Sequence, residues 1–383
     1  MSEQLIVEAE RLSAAFAARG DEIEAARRVP ADASAEMAKA GFYRMFIPEA
    51  VGGLETTPLI GCQVFETLAR GEASCAWVSF IGATSGSTLA LIPEATAQAV
   101  FATPETMIAG VFAPNGRAEK TDGGFIVNGR WQWGSGTENA QWVLGGSMLL
   151  ENGENMLDSH GNPRSHMMMF NASEVEFLDT WHVTGLRGTG STDFQVTDVF
   201  VPDERAVAYL NPRNPDRPLY QFPNFTFLAL GIAAVTLGIA RAAVDDLIAL
   251  AQTKKRVGNS RTMAEKSHTQ MEVARAEASL RSARAFYYDA ISAAWAVAER
   301  GERMPMELRR DLRLATNNAV EASVKTVDAM YTLAGGTSVY NSSRLQRHFR
   351  DVHVATQHIM IGPDILETVG KLYLGVPANA SRL

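Results

Sequence analysis

Hydrophobic and polar positions change rhythm twice along the chain. From the N-terminus to about Phe101, apolar residues recur at helical spacing. Glu8 to Arg28 is rich in Ala, Glu and Arg, all strong helix formers, and Ala33 to Ala40 continues the pattern until Gly41 ends it. Ile47-Pro48-Glu49-Ala50-Val51-Gly52-Gly53 reads as a loop. Pro58 to Gly71 resumes helical periodicity, Ser74 to Leu91 is apolar, and Pro93-Glu94 opens a further helix with Pro at its first position.

Near Met107 the period shortens. IAGVFAP, GGFIVNGRWQWGSG, QWVLGGSMLL, SHMMMFNA and FQVTDVFVP are β-rich runs separated by Gly, Asn and Asp. Asn128-Gly129 between alternating runs predicts a hairpin turn, and Glu151 to Arg164 reads as an exposed polar loop. After a Pro-rich linker, Asn211 to Pro223, the helical rhythm returns over Thr226–Thr253, His268–Arg300, Met306–Leu333 and Gly362–Leu374. Glu277 and Arg281 sit at the favourable i, i+4 spacing. The pattern predicts a mostly α protein with three parts: an N-terminal helical domain (1–106), a small middle β-barrel domain (107–212) and a C-terminal four-helix bundle (213–383).

Composition narrows the function classes. Of 383 residues 46% are hydrophobic and 20% charged, ordinary for a soluble domain, and the net charge of −8 argues against a nucleic-acid surface. The two cysteines, Cys62 and Cys75, have no metal-ligand spacing and suit a reducing, cytoplasmic compartment. The acidic N-terminus is unlike a signal peptide. The apolar run Phe227 to Ala240 is shorter than the roughly 20 residues of a membrane span and reads as a buried bundle helix.

The densest candidate chemistry lies in Leu333 to Ile361, LAGGTSVYNSSRLQRHFRDVHVATQHIMI. Gly335-Gly336 lets backbone approach a ligand, and the pair Arg350-Asp351 precedes two histidines, His353 and His358. This order resembles the C-terminal signature of the acyl-CoA dehydrogenase superfamily. Four further places match in sequence order. They are the turn Pro48 to Gly53, Val111-Phe112-Ala113-Pro114, Asn128-Gly129 through Ser135, and Gly185-Leu186-Arg187-Gly188-Thr189-Gly190-Ser191 with Trp181 before it and Val199-Phe200-Val201-Pro202 after it. The resemblance covers essentially the whole chain. It implies that Phe112, Ala113, Trp133 and Ser135 lie at a flavin ring, that Gly335 and Gly336 form a cofactor-facing turn, and that Arg256 holds a flavin phosphate.

The chain departs from that family where dehydrogenation is carried out. The position of the catalytic Glu is Ile359, with His358 just before it, and the alternative Glu position falls near Leu228 in a Glu-free stretch. The Arg-x-x-Phe-Gly signature is replaced by Lys254-Lys255-Arg256-Val257-Gly258. These departures resemble the branch of reduced-flavin monooxygenases, which take FMNH₂ or FADH₂ from a separate NAD(P)H:flavin reductase and use O₂ through a C4a-hydroperoxide. In that branch a hydrogen bond near flavin N5, for which Ser135 is placed, would prolong the intermediate, and His358 would be the acid–base residue. An active-site His that several members carry after the Ala-Trp pair is missing here, where Ala76-Trp77 leads to Thr84-Ser85.

Each candidate has a plainer reading. Ser135 can satisfy local backbone, Trp133 can be a core aromatic, the Gly pair can be a helix end, and His358 can be a hydrogen-bonded core residue; His353 reads as structural. The resemblance implies hydroxylation of a small aromatic substrate by a homotetramer. The rivals are a dehydrogenase with a displaced base and an inactive flavin-fold assembly subunit.

Overall fold

The computed structural model describes residues 2–208, 217–255, 260–381 and 383. Six helices open the chain: α1 (Ser2–Ala17), α2 (Gly20–Ala26), α3 (Ala31–Lys39), α4 (Pro58–Gly71), α5 (Ala73–Gly86) and α6 (Glu94–Val100). The Ala/Glu/Arg run that reads as one helix is two, because the chain turns after Ala17 and Arg27 closes α2 in the left-handed region. Helix α4 begins where Thr57 Oγ1 accepts the Ile60 N–H at 3.3 Å, ahead of a Pro at the first helical position. Helix α5 is buried along almost its whole length.

The middle of the chain forms β1 (Ile108–Thr121), β2 (Gly124–Trp131), β3 (Trp142–Glu151), β4 (Glu154–Asn155), β5 (Ser165–Asn171), β6 (Glu176–Leu178), β7 (Asp193–Pro202) and β8 (Ala206–Val207). Their order is β6-β7-β2-β1-β3-β5-β8, with β4 paired to β3. The sheet covers its own core, in which Trp131 stacks on Phe194 at 5.1 Å between ring centroids. The hairpin is not at Asn128-Gly129. The β1–β2 turn is Asp122-Gly123, where Thr121 faces Gly124, and Asn128-Gly129 lies inside β2 at a register shift against β7. Two Asx-Gly pairs compete for one turn. Asn128 is instead consumed sideways, its Nδ2–H donating to Asp198 Oδ1 at 2.8 Å while its Oδ1 accepts the Asp198 N–H at 2.9 Å.

Five helices complete the chain: α7 (Asn224–Thr253), α8 (Ser267–Glu299), α9 (Met306–Ala334), α10 (Arg344–Ala355) and α11 (Pro363–Tyr373). Helix α7 is the hub and packs against α4, α5, α9 and α10. The apolar run expected to be short is part of this 30-residue helix, long and apolar enough to cross a membrane; yet 94% of its most apolar window is buried inside the protein. Glu277 and Arg281 do pair, at 2.9 Å. Helix α10 has no counterpart in the periodicity reading, because its exposed-looking charges are mostly covered. Arg347, His348 and Asp351 are all buried.

Those charges latch α10 to the rest of the molecule. Arg347 pairs with Asp21 and, at 3.2 Å, with Glu24, while Arg350 also reaches Glu24. His348 Nε2 lies 2.8 Å from Asp246 Oδ2 on α7. Asp351 Oδ1 accepts the Leu186 N–H at 2.6 Å, and a Cβ on Gly185 would lie 2.3 Å from the Arg350 carbonyl oxygen. Only Gly fits so close an approach. Burial, with the neighbouring Glu72 carboxylate, pushes the Asp351 carboxyl up to about 7 against the opposing pull of the Leu186 N–H and Arg350.

A folded-state value above the ordinary carboxylate value of about 3.9 means that Asp351 contributes stability below about pH 4 and loses it as pH rises through 7. Asp351→Asn keeps an acceptor for the Leu186 N–H and removes that titration. Its thermal midpoint is therefore expected to gain on wild type as pH rises from 4 to 7. Asp351→Ala strands the amide and is expected to cost about 1–3 kcal/mol. Parallel pH–stability curves for wild type and the Asn variant would exclude Asp351 as the titrating group.

Candidate active site

The β2–β3 connection carries Trp133, Gly134 and Ser135. Two backbone bonds hold it against the segment before β7: Gly134 N–H to Thr192 O and Gly136 N–H to Thr189 O, each 3.0 Å. Trp133 adopts a left-handed φ of +64° and is 69% exposed, so it is not the core aromatic of the β domain. That role belongs to Trp131. Ser135 is turned inward and buried.

Ser135 sits in a chain of hydroxyls whose polarity follows from counting protons. Trp77 Nε1–H, a donor only, donates to Ser135 Oγ at 3.1 Å. Thr189 Oγ1–H donates to the Leu186 carbonyl at 2.8 Å. Ser191 Oγ, 2.7 Å from Thr189 Oγ1, must then donate to it, and Ser135 Oγ–H in turn donates to Ser191 Oγ at 2.6 Å. Every proton in the chain points away from Trp77. Ser135 Oγ is left with one lone pair that has no partner among the described residues. It can accept a hydrogen bond from a ligand but has no proton to give.

His358 also neighbours the Trp77 indole. Its ring centroid is 6.0 Å from that of Trp77. The residue caps the short helical turn Ile359–Ile361, and Nδ1 accepts the Met360 N–H at 3.2 Å. A backbone N–H can only donate, so the neutral imidazole carries its proton on Nε2. Burial, reinforced by the Arg313 guanidinium, lowers the imidazole to about 4. At neutral pH His358 is therefore an uncharged Nε2–H donor and a weak base.

Trp77 is the functional residue that sequence reasoning passed over, treating it only as a landmark on α5. Its signal was a Trp in an otherwise apolar helix, whose buried N–H requires a partner. His353 points elsewhere, pairing with Asp328 at 2.9 Å on a partly exposed surface. Ile359 is 68% exposed and Leu228 is buried, so neither dehydrogenase base position carries a carboxylate.

The remaining candidates flank this centre. Phe112 and Ala113 lie where β1 shifts register against β3, between Val111 and Gly116; Phe112 is half-buried and Ala113 exposed. Gly335 follows α9 at φ +58°, ψ −145°, a conformation open to Gly alone, while a Cβ on either Gly335 or Gly336 would meet open space. Crowding within the chain thus does not explain Gly336. Lys254 Nζ donates to the Ala334 carbonyl and so brings the start of the Lys254-Lys255-Arg256 segment to this turn. Arg256 itself lies outside the described residues. The structure brings Ser135 and His358 together around Trp77, and brings Lys254 beside Gly335, as a second group.

The donor set suits a reduced flavin, whose N5–H needs an acceptor such as the open lone pair of Ser135 and whose ring needs apolar cover of the kind Trp133 and Phe112 offer. Among the described residues, no group of His, Cys, Asp and Glu is arranged to hold a metal ion.

Comparison with known proteins agrees with this chemistry. Residues 3–98 match the acyl-CoA dehydrogenase N-terminal domain and residues 230–363 its C-terminal domain. The chain is 33% identical to the indole-3-acetate monooxygenase of Pseudomonas putida, over 94% of this chain and 90% of that protein. It is 30% identical to the FADH₂-dependent resorcinol hydroxylase, oxygenase component, of a Rhizobium species, over 94% and 91%. Among solved structures, XiaF from Streptomyces in complex with FADH₂ and glycerol superposes with a TM-score of 0.89 at 25% identity, over 99% of this chain and 98% of that one. The chain belongs to the acyl-CoA dehydrogenase family, in its branch of flavin-dependent monooxygenase oxygenase components.

Proposed function

We propose that the protein hydroxylates a small aromatic compound, using O₂ and reduced flavin (FADH₂ or FMNH₂) delivered by a separate NAD(P)H:flavin reductase. One oxygen atom enters the ring, the other leaves as water, and both electrons come from the flavin. The observation that carries this reading is the Trp77-centred pair, an acceptor-only Ser135 hydroxyl bonded to the indole N–H and a neutral His358 donor whose ring lies 6.0 Å from it, in a chain whose dehydrogenase base positions are Ile359 and Leu228. Relatives named as monooxygenases of indole-3-acetate and of resorcinol support the aromatic substrate class.

When bound, reduced flavin supplies the activation of O₂. The protein's part is to hold and shield. Ser135 Oγ would accept the N5–H and keep that proton in place, while Trp77 fixes the hydroxyl's orientation. His358 Nε2–H would donate to the substrate oxygen, orienting it rather than removing its proton. Trp133, Phe112 and Ala113 would cover the ring, with Gly335, Gly336 and Arg256 on the phosphate side. The same reading divides the chain at 1–106, 107–212 and 213–383 and makes the protein a cytoplasmic homotetramer. Two buried, free cysteines and the exposed apolar residues Val339, Tyr340 and Leu374 support it.

Ser135→Ala is expected to fold and to bind reduced flavin anaerobically, but to release more H₂O₂ and less product. Losing one such bond, about 0.5–1.5 kcal/mol, lowers the product-to-peroxide ratio by up to roughly tenfold. An unchanged ratio would remove Ser135 from the site.

His358→Ala is expected to lower the same ratio by up to roughly tenfold, the effect of losing one hydrogen bond of about 0.5–1.5 kcal/mol, with Gln restoring part of it through its amide donor. Because the imidazole stays neutral above about pH 4, the wild-type ratio should not change between pH 5.5 and 8 through His358. A step near pH 6.5 that vanishes in His358→Gln would overturn the donor role, and a wild-type ratio in His358→Ala would exclude the residue from the reaction.

A further inference from the structure

Helix α9 sends two polar side chains into the bundle interior beneath the turn that carries His358. Arg313 is 0% exposed and Asn317, one helical turn on, is 3% exposed. A guanidinium taken out of water loses several kcal/mol of hydration, so its burial needs strong compensating contacts. Arg313 donates from Nη2 to the Met360 carbonyl, and Asn317 Nδ2–H donates to the Ile361 carbonyl at 3.1 Å. Those carbonyls are consecutive. The Met360 N–H is the group that His358 Nδ1 accepts, so both polar backbone groups of Met360 are engaged, one by α9 and one by the imidazole.

We propose that Arg313 and Asn317 are positioning residues, which clamp the Ile359–Ile361 turn to α9 and thereby hold His358 as a neutral Nε2–H donor facing Trp77. The inference rests on the reading of His358 as a site residue. Arg313 acts twice, through its hydrogen bond and through its charge. The charge opposes a second positive charge on the imidazole, adding to the effect of burial. Between Asn224 and Ala240 helix α7 has no charged side chain, α5 meets the imidazole through the uncharged Trp77 ring, and α11 brings Asp364 in its first turn. Folded-state protonation is thus resisted, and His358 contributes stability that is present above the ordinary imidazole value of about 6.5 and lost as pH falls toward 4.

The test follows ¹⁵N-histidine-labelled protein by NMR, with the His358 signal assigned by its loss in His358→Gln, alongside the product-to-peroxide ratio of the full system. In wild type His358 is expected as the Nε2–H tautomer, without titration above about pH 5, given its value of about 4. Arg313→Gln keeps a donor and removes the charge. It is expected to move the His358 midpoint up toward the ordinary value, whereas Arg313→Lys keeps it low. Asn317→Ala is expected to leave the midpoint low, to mix the tautomers, and to lower the ratio severalfold. That fall should be absent when His358 is already Gln. An unmoved tautomer and ratio in Asn317→Ala would overturn the clamp, even if Arg313→Gln failed to fold. So would an equal fall of the ratio with and without His358. If His358→Gln itself kept a wild-type ratio, the role of His358 in the reaction would fail, and the NMR comparison would still decide whether α9 holds it.

Discussion

The bond from the Leu186 N–H to Asp351 is the joint on which the candidate site depends. It ties the segment before β7 to α10, and both halves of the site hang from it. On one side the Leu186 carbonyl ends the hydroxyl chain that orients Ser135. On the other, α10 sets where the chain begins its descent to His358. The joint is costly in isolation. Asp351 and Glu72 are both buried, and burial drives both carboxyls upward in pKa. Arg347 and Arg350 offset this, and the same guanidiniums hold Glu24 below its usual range despite its own burial. Such a network contributes more to fixing one arrangement of α2, α10 and the segment before β7 than to net stability.

From that joint the chemistry follows by elimination of protons. Trp77 supplies one N–H and no acceptor, so Ser135 must receive it; Thr189 gives its proton to backbone, so Ser135 must give its own away. What Ser135 has left to offer is a lone pair. His358 is constrained from the opposite direction, because the Met360 N–H and the Arg313 charge leave it a proton on Nε2 and little basicity. An acceptor and a donor therefore both neighbour one indole. A carboxylate in place of Ile359 would serve proton abstraction at carbon, and its absence separates this chain from the dehydrogenases that share its fold.

Helix α7 supplies the rigidity. Its 30 residues run through the centre of the protein against α4, α5, α9 and α10. The apolar strip that would suit a lipid bilayer instead packs into one continuous core shared by the N-terminal and C-terminal helices. Because α5 and α9 both pack on this helix, Trp77 and Arg313 come to neighbour the same histidine.

The order of helices, the β-rich middle and the bundle were legible in the sequence, because hydrophobic period is a local property and survives without knowledge of neighbours. So was the loss of the carboxylate at Ile359, and so was the candidacy of Ser135 and His358, through the order of their surrounding motifs. Helix α10 was not legible, since Arg347, His348 and Asp351 read as a solvated face until Glu24, Asp246 and Leu186 arrive from distant parts of the chain. The hairpin at Asp122-Gly123 rather than Asn128-Gly129 was decided by pairing with β7, which claims Asn128 for Asp198. Arg313 and Asn317 carried no motif and Trp77 only marked the Ala-Trp pair, and each gains its role only from what lies across the fold. The sequence determined which chemistry was possible, by fixing which groups the chain contains. Tertiary structure decided the state of those groups, because the direction of a hydroxyl's proton and the basicity of an imidazole depend on neighbours that the linear chain does not place together.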